Sequence, residues 1–240
     1  MSTSIASDVE LASTESGDVH AAHVHATHLS LVPSPDGTLA ASGFILERSR
    51  LRYRVDAALI RTLDALLAAL LLLVLLPFIV LSALAVRLDS PGPAFFRVDR
   101  IGWRGGRLRM LKLRKMHDDA AGPALTMDND ERFTRLGPLL AKLKLDEIPQ
   151  LWHVLTGDMS LVGPRPLWVE EAKQCRGWTQ KRLDITPGIT GLWQVLGRSD
   201  IPFDEMVKLD YMYVTGWSLS WDLKLLLQTV PAVLEKRGAY

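Results

Sequence analysis

Two acids side by side, Asp146 and Glu147, precede an arginine, Arg165, that is held between Pro164 and Pro166. A carboxylate can attack phosphorus and form an acyl phosphate. A neighbouring carboxylate can hold magnesium, which takes one or two protein carboxylates and fills its shell with water and phosphate oxygens. On a helix, adjacent side chains point about 100° apart, so one acid can face a cation while the other faces a substrate. A guanidinium on a proline-stiffened loop suits bidentate recognition of a phosphate. Upstream, Lys112 and Arg114 would share one face of a strand, where they could meet a diphosphate or anionic lipid headgroups. Plainer uses exist for each. Asp146 could cap a helix that runs to about Leu155, and Arg165 could join Asp158 in a surface ion pair. His117 and His153 read as structural or surface residues.

The elements that must position these groups are visible in the patterning. Residues 65–86 form a run of 22 residues without a charge, mostly Leu, Ala and Val. As a helix this run is roughly 33 Å long, enough to cross a bilayer core. Basic residues flank it on both sides, Arg48 to Arg61 before it and Arg87 to Arg109 after it. The positive-inside rule places Lys and Arg on the cytoplasmic side, so a straight span violates it at one end. A re-entrant helix, broken at Pro77 and leaving by the leaflet it entered, violates it at neither. Asp89-Ser-Pro-Gly-Pro93 ends the helix. Strand-like segments around residues 94–98 and 108–113 flank the glycine cluster 102–106 and read as a hairpin. Residues 131–156 carry helical spacing with a break at Gly137-Pro138. Gly163 to Pro166 and Thr186 to Gly191 read as loops. Residues 203–235 read as a helix, a turn near Gly216 and an amphipathic helix. Trp193, Trp217 and Trp221 suit either a membrane interface or a core.

Composition sets the outer limits. A net charge of +1 gives no global field for nucleic acid. The charge is unevenly spread: residues 1–47 carry six acids and no Lys or Arg, whereas Arg87 to Met116 carries nine Lys/Arg against two Asp. Residues 1–47 therefore read as a disordered acidic tail, with His20, His23, His25 and His28 in no standard metal spacing. Residues 48–240 read as the folded part. With Cys175 the only cysteine, no intrachain disulfide forms, which fits a reducing compartment. No basic-then-apolar leader is visible at the N-terminus.

From about Arg61 onward the sequence resembles the bacterial sugar transferases, the monotopic polyprenyl-phosphate phosphoglycosyl transferases. The matching motifs occur in order: Arg61-Thr-Leu-Asp64, Leu88-Asp-Ser-Pro-Gly-Pro93 and Lys112-Leu-Arg-Lys-Met116, then Leu145-Asp-Glu-Ile-Pro-Gln-Leu151 and Gly157-Asp-Met-Ser-Leu-Val-Gly-Pro-Arg-Pro166, and last Thr186-Pro-Gly-Ile-Thr-Gly191 and Arg237-Gly-Ala-Tyr240. Without a four-helix N-terminal membrane domain, the chain is similar to the short, exopolysaccharide-initiating members. The resemblance implies a mainly α fold with a small β-hairpin (α+β), a re-entrant membrane helix over 61–87, amphipathic interface helices and a cytoplasmic catalytic part over 88–240. It implies Asp146 as a nucleophile toward the β-phosphate of a UDP-sugar and Glu147 as the magnesium-binding partner. Arg165 becomes the phosphate-binding arginine, with Lys112 and Arg114 as basic residues near the site. Undecaprenyl phosphate in the inner leaflet of the bacterial cytoplasmic membrane becomes the acceptor, and glucose or galactose the sugar. Oligomeric state stays open, a homodimer included. Two positions depart from the family pattern: Leu76 precedes Pro77 where many members have serine, and Ala141 stands where many have arginine. The competing readings are a non-catalytic membrane-surface scaffold and a single-pass membrane protein with a cytoplasmic interaction domain.

Overall fold

The computed structural model describes residues 32–33, 39–40, 50–118, 120, 130–196 and 201–234. The histidines of the tail and the Arg237–Tyr240 motif lie outside the described residues. Within the segment read as a tail, β1 (Val32–Pro33) pairs antiparallel with β2 (Leu39–Ala40); the rest of that reading also lies outside.

Helix α1 covers Arg50–Asp89, 40 residues. It starts 11 residues earlier than the expected 61–87. The early charged residues break the apolar pattern but not the helix, because Arg, Leu and Ala are all strong helix formers. Pro77 lies inside α1 and does not end it, so the expected break is not a gap in the helix. Among the described residues, one helix is long and apolar enough to cross a membrane, Arg54–Asp89, and only 11% of its most apolar window is buried. Leu66, Leu73 and Leu81 point away from the protein. An all-round apolar helix with so little protein against it suits a lipid environment.

After the turn at Gly92, whose φ of +109° favours glycine, β3 (Phe95–Ile101) pairs antiparallel with β4 (Arg107–Leu113), as the glycine cluster suggested. Strand alternation sorts the hairpin's side chains. Val98, Arg100, Leu108, Met110 and Lys112 share one face, while Arg97, Asp99, Arg107 and Arg109 share the other. The Gly137-Pro138 pair is not a break in a helix but the start of one, α2 (Gly137–Lys142), since proline is well accommodated in a first turn. A 3-10 helix over Leu145–Gln150 leads directly into α3 (Leu151–Thr156), which Gly157 closes at φ +98°.

Thr186 to Gly191, expected as a loop, contains β6 (Gly188–Thr190), which pairs parallel with β5 (Ser160–Val162). The pair depends on glycine. A Cβ on Gly163, Gly188 or Gly191 would collide with backbone atoms of this crossing. Next come α4 (Val169–Gln174), a 3-10 helix over Gly177–Asp184 and α5 (Leu192–Leu196), then α6 (Phe203–Gly216) and α7 (Leu219–Leu234). The last two realise the expected helix, turn and helix. The main core joins Ile60 and Ala68 of α1 to Leu108 and Met110 of the hairpin, Val154 of α3, Tyr213 of α6 and Leu225 of α7. Trp193 and Trp217 are buried, and Trp221 packs on Tyr213, so these three are core residues. The exposed tryptophans are Trp103, Trp152 and Trp178.

Candidate active site

The acid pair is set by one strained residue. Lys144 adopts φ +56° and ψ +22° just before the 3-10 helix, a conformation costing a non-glycine residue about 1–2 kcal/mol. It swings Asp146 and Glu147 against β4. They lie in the first turn of the 3-10 helix, so Asp146 is not the cap of a longer α-helix.

Asp146 is 2% exposed. Lys115 Nζ lies 3.5 Å from its Oδ2, and Oδ1 has no hydrogen-bond partner among the described residues. Burial first, and the Glu147 charge second, raise its pKa above the ordinary 3.8, while Lys115, Lys112 and Lys144 oppose them. Glu147 responds in the other direction. Its Oε1 accepts a hydrogen bond from Lys112 Nζ at 2.8 Å. That cation holds it down to about 2, against the opposing effect of burial. Adjacent acids driven apart in this way take different roles.

Lys112, Asp146 and Glu147 therefore come together as the sequence suggested, with Lys115 as an addition. Lys115 was legible only as the last cation of the Lys112–Lys115 motif. Arg114 goes elsewhere. It is 4% exposed, and its Nη1 and Nη2 donate to the carbonyls of Pro91 and Ser90 at 2.5 and 2.8 Å. It thus fixes the turn that follows the apolar helix.

Arg165 is half-buried, its guanidinium carbon 5.4 Å from the Trp193 ring centroid. It does not pair with Asp158, which instead receives a hydrogen bond from Thr156 and faces His153 Nδ1 at 3.4 Å. His153 Nε2 accepts the Leu111 N–H, a structural role as expected. The Arg165 loop is fixed from both sides. Gly163 N–H donates to Thr190 O, and Gly188 N–H to Pro164 O. Arg182 Nη2 donates to the Arg165 carbonyl at 2.8 Å and lies 2.5 Å from Asp210 Oδ2. Sequence reading missed Arg182 and Asp210, which no local pattern connects.

The Arg61–Asp64 motif joins the apolar helix to the site. Arg61 donates to the Val154 and Leu155 carbonyls at 2.5 and 2.6 Å, at the C-terminal end of α3. Asp64 accepts from Ser160 Oγ at 2.5 Å and from Leu161 N–H at 3.1 Å, on β5. At the other end of the apolar run, Asp89 accepts the Leu136 N–H. Both ends are tied to one catalytic body.

A buried acid beside an ionised one, flanking lysines and a braced arginine are residue types suited to handling phosphate. The sequence model for bacterial sugar transferases matches residues 55–236. The chain belongs to the bacterial sugar transferase family. It is 43% identical over 190 residues to the UDP-glucose:undecaprenyl-phosphate glucose-1-phosphate transferase of Caulobacter vibrioides, covering 75% of this chain and 71% of that one. It is 34% identical over 232 residues to the exopolysaccharide production protein ExoY of Sinorhizobium fredii, covering 90% of this chain and 97% of that one. The galactosyl transferase CpsE of Streptococcus agalactiae is 40% identical over 168 residues, covering 64% of this chain. This sugar transferase spans only 37% of the streptococcal protein.

A magnesium ion fits the donor set in one respect. No group of three or more His, Cys, Asp or Glu that could hold a metal occurs among the described residues, so a closed protein cage is not what the site offers. It offers one ionised, partly exposed carboxylate, Glu147, with Lys112 on its Oε1, and magnesium takes only one or two protein carboxylates.

Proposed function

We propose that the chain is a polyprenyl-phosphate hexose-1-phosphate transferase that moves glucose-1-phosphate or galactose-1-phosphate from its UDP-sugar to undecaprenyl phosphate. The observation that carries the reading is the unpartnered Oδ1 of buried Asp146, next to an ionised Glu147 held by Lys112. In the first step an oxygen of ionised Asp146 bonds to the β-phosphorus, the bond from that phosphorus to the bridging oxygen breaks, and UMP leaves with the electron pair. The sugar phosphate is then an acyl phosphate on Asp146. In the second step an oxygen of undecaprenyl phosphate bonds to the same phosphorus and expels the Asp146 carboxylate, giving undecaprenyl-diphosphate-sugar. No net proton transfer is needed at the aspartate. Splitting the transfer lets a soluble nucleotide and a bulky lipid use one small site in turn.

Lys115 and Lys112 oppose the rise that burial and Glu147 impose on Asp146 and so favour its attacking carboxylate form, and Arg165 holds a phosphate in place. When bound at Glu147, magnesium would neutralise diphosphate charge and make UMP a better leaving group. EDTA should accordingly reduce UMP release to background and added magnesium restore it; insensitivity to both would remove the metal from the reading. The same assay across a panel of UDP-sugars, with undecaprenyl phosphate present, tests the whole proposal. Glucose or galactose should dominate, and no release from any UDP-sugar would overturn it.

The catalytic part faces the cytoplasm, and α1 enters and leaves the bilayer by the inner leaflet, bending near Pro77. Two observations support this reading. Arginines flank the apolar run on both sides, and Arg61, Asp64 and Asp89 tie both of its ends to one body. Protease added outside spheroplasts should leave both termini intact. Cleavage before residue 50 would favour a simple span.

A further inference from the structure

One buried cation beside this site is not used by the mechanism. Arg100 lies near the end of β3, on the hairpin face that also carries Lys112. It is 7% exposed. Its guanidinium carbon stands 3.2 Å from the centroid of the Trp168 ring, and its Nη1 has no hydrogen-bond partner among the described residues. The backbone explains the stacking. Ile101 bridges antiparallel to Leu167, with its N–H on the Leu167 carbonyl at 2.8 Å. Arg100 and Trp168 are thereby set side by side, and the strand end lies along the segment that follows Arg165.

Two arginines are thus gathered at one place, each backed by an indole: Arg100 on Trp168 and Arg165 on Trp193. Burial, and after it the Arg165 charge, push Arg100 down to about 9, which leaves it cationic at neutral pH. The two nearby acids attract Arg100, but no direct ion pair joins either to it among the described residues. Glu171 Oε2 accepts the Trp168 N–H, and Glu147 Oε1 accepts from Lys112. A buried guanidinium with an open donor beside a second guanidinium is costly unless an anion joins them. The planar fork fits two oxygens of a phosphate.

We infer that Arg100 and Arg165 form a two-arginine clamp for one phosphate group, with Trp168 as the flat backing that keeps Arg100 aimed at it. This rests on the transferase reading and adds a binding residue to it. The phosphate belongs either to the UDP-sugar or to the polyprenyl acceptor.

The test uses the full chain in detergent micelles. Arg100→Met should raise the KM for one substrate at least about tenfold while changing kcat less. A rise confined to the UDP-sugar, with weaker UMP binding by calorimetry, assigns the donor phosphate. A rise confined to undecaprenyl phosphate assigns the acceptor. Arg100→Lys keeps the charge but not the fork, and should give an intermediate rise; it also carries the test if Arg100→Met does not fold. Wild-type KM values for both substrates in a folded variant overturn the clamp. Should the wild-type protein release no UMP at all, the transferase reading fails separately. Calorimetry with inorganic pyrophosphate then decides the clamp: binding by wild type and a loss of at least about tenfold in Arg100→Met sustains it, and equal binding, or none by wild type, sinks it.

Discussion

Replacing Asp146 by asparagine should bring UMP release to background, a loss of about 10⁴-fold or more, the scale on which removal of an attacking group is felt. The substitution keeps the shape of the side chain and removes its charge from a pocket where that charge costs burial energy. The fold should therefore survive, and the melting temperature should hold or rise. A neutral amide cannot attack phosphorus as a carboxylate does. Mass spectrometry of wild type incubated with UDP-sugar and no acceptor should find the added hexose phosphate on Asp146 and lose it in the variant. Turnover near the wild-type rate in purified Asp146→Asn would remove Asp146 from the nucleophile's role.

The second large effect is on stability. Arg182 and Asp210 are both 1% exposed at the side chain and lie 2.5 Å apart. Removing one member of a buried pair strands the other charge and costs about 3–5 kcal/mol. Arg182→Met should then lower the melting temperature in detergent by about 6–20 °C, taking about 2–4 °C per kcal/mol for a chain of this size. The double change Arg182→Met with Asp210→Leu should recover most of the loss, because no charge is left stranded. Both variants should weaken substrate binding, since each removes the donor on the Arg165 carbonyl. A single variant melting within about 2 °C of wild type would mean that water reaches the pair.

Local features were the legible ones. The apolar helix showed in 22 consecutive uncharged residues, and the hairpin showed in glycines between two alternating segments. The acid pair stood out as two adjacent carboxylates and Arg165 as an arginine held between two prolines, although each also had a plainer use. What the sequence hid was joined across distance. The β5–β6 pair links residues 28 positions apart through three residues on each side, too short to leave a period-2 pattern. Arg114 reads as a site cation by type and by strand alternation. Its burial against the Ser90 and Pro91 carbonyls follows from where β4 stops, at Leu113. The start of α1 at Arg50 was hidden for a related reason: charges mark where a helix leaves lipid, not where it begins.

The grip of Arg61 and Asp64 on α3 and β5 makes the apolar helix a ruler as well as an anchor. Each residue of helix advances 1.5 Å and turns 100°. If α1 lies in lipid as proposed, that grip, which directly adjoins the apolar run at Ala65, sets how high Asp146 rides above the lipid tails. A lipid phosphate is confined to one narrow layer, so only one setting of that ruler brings the two together.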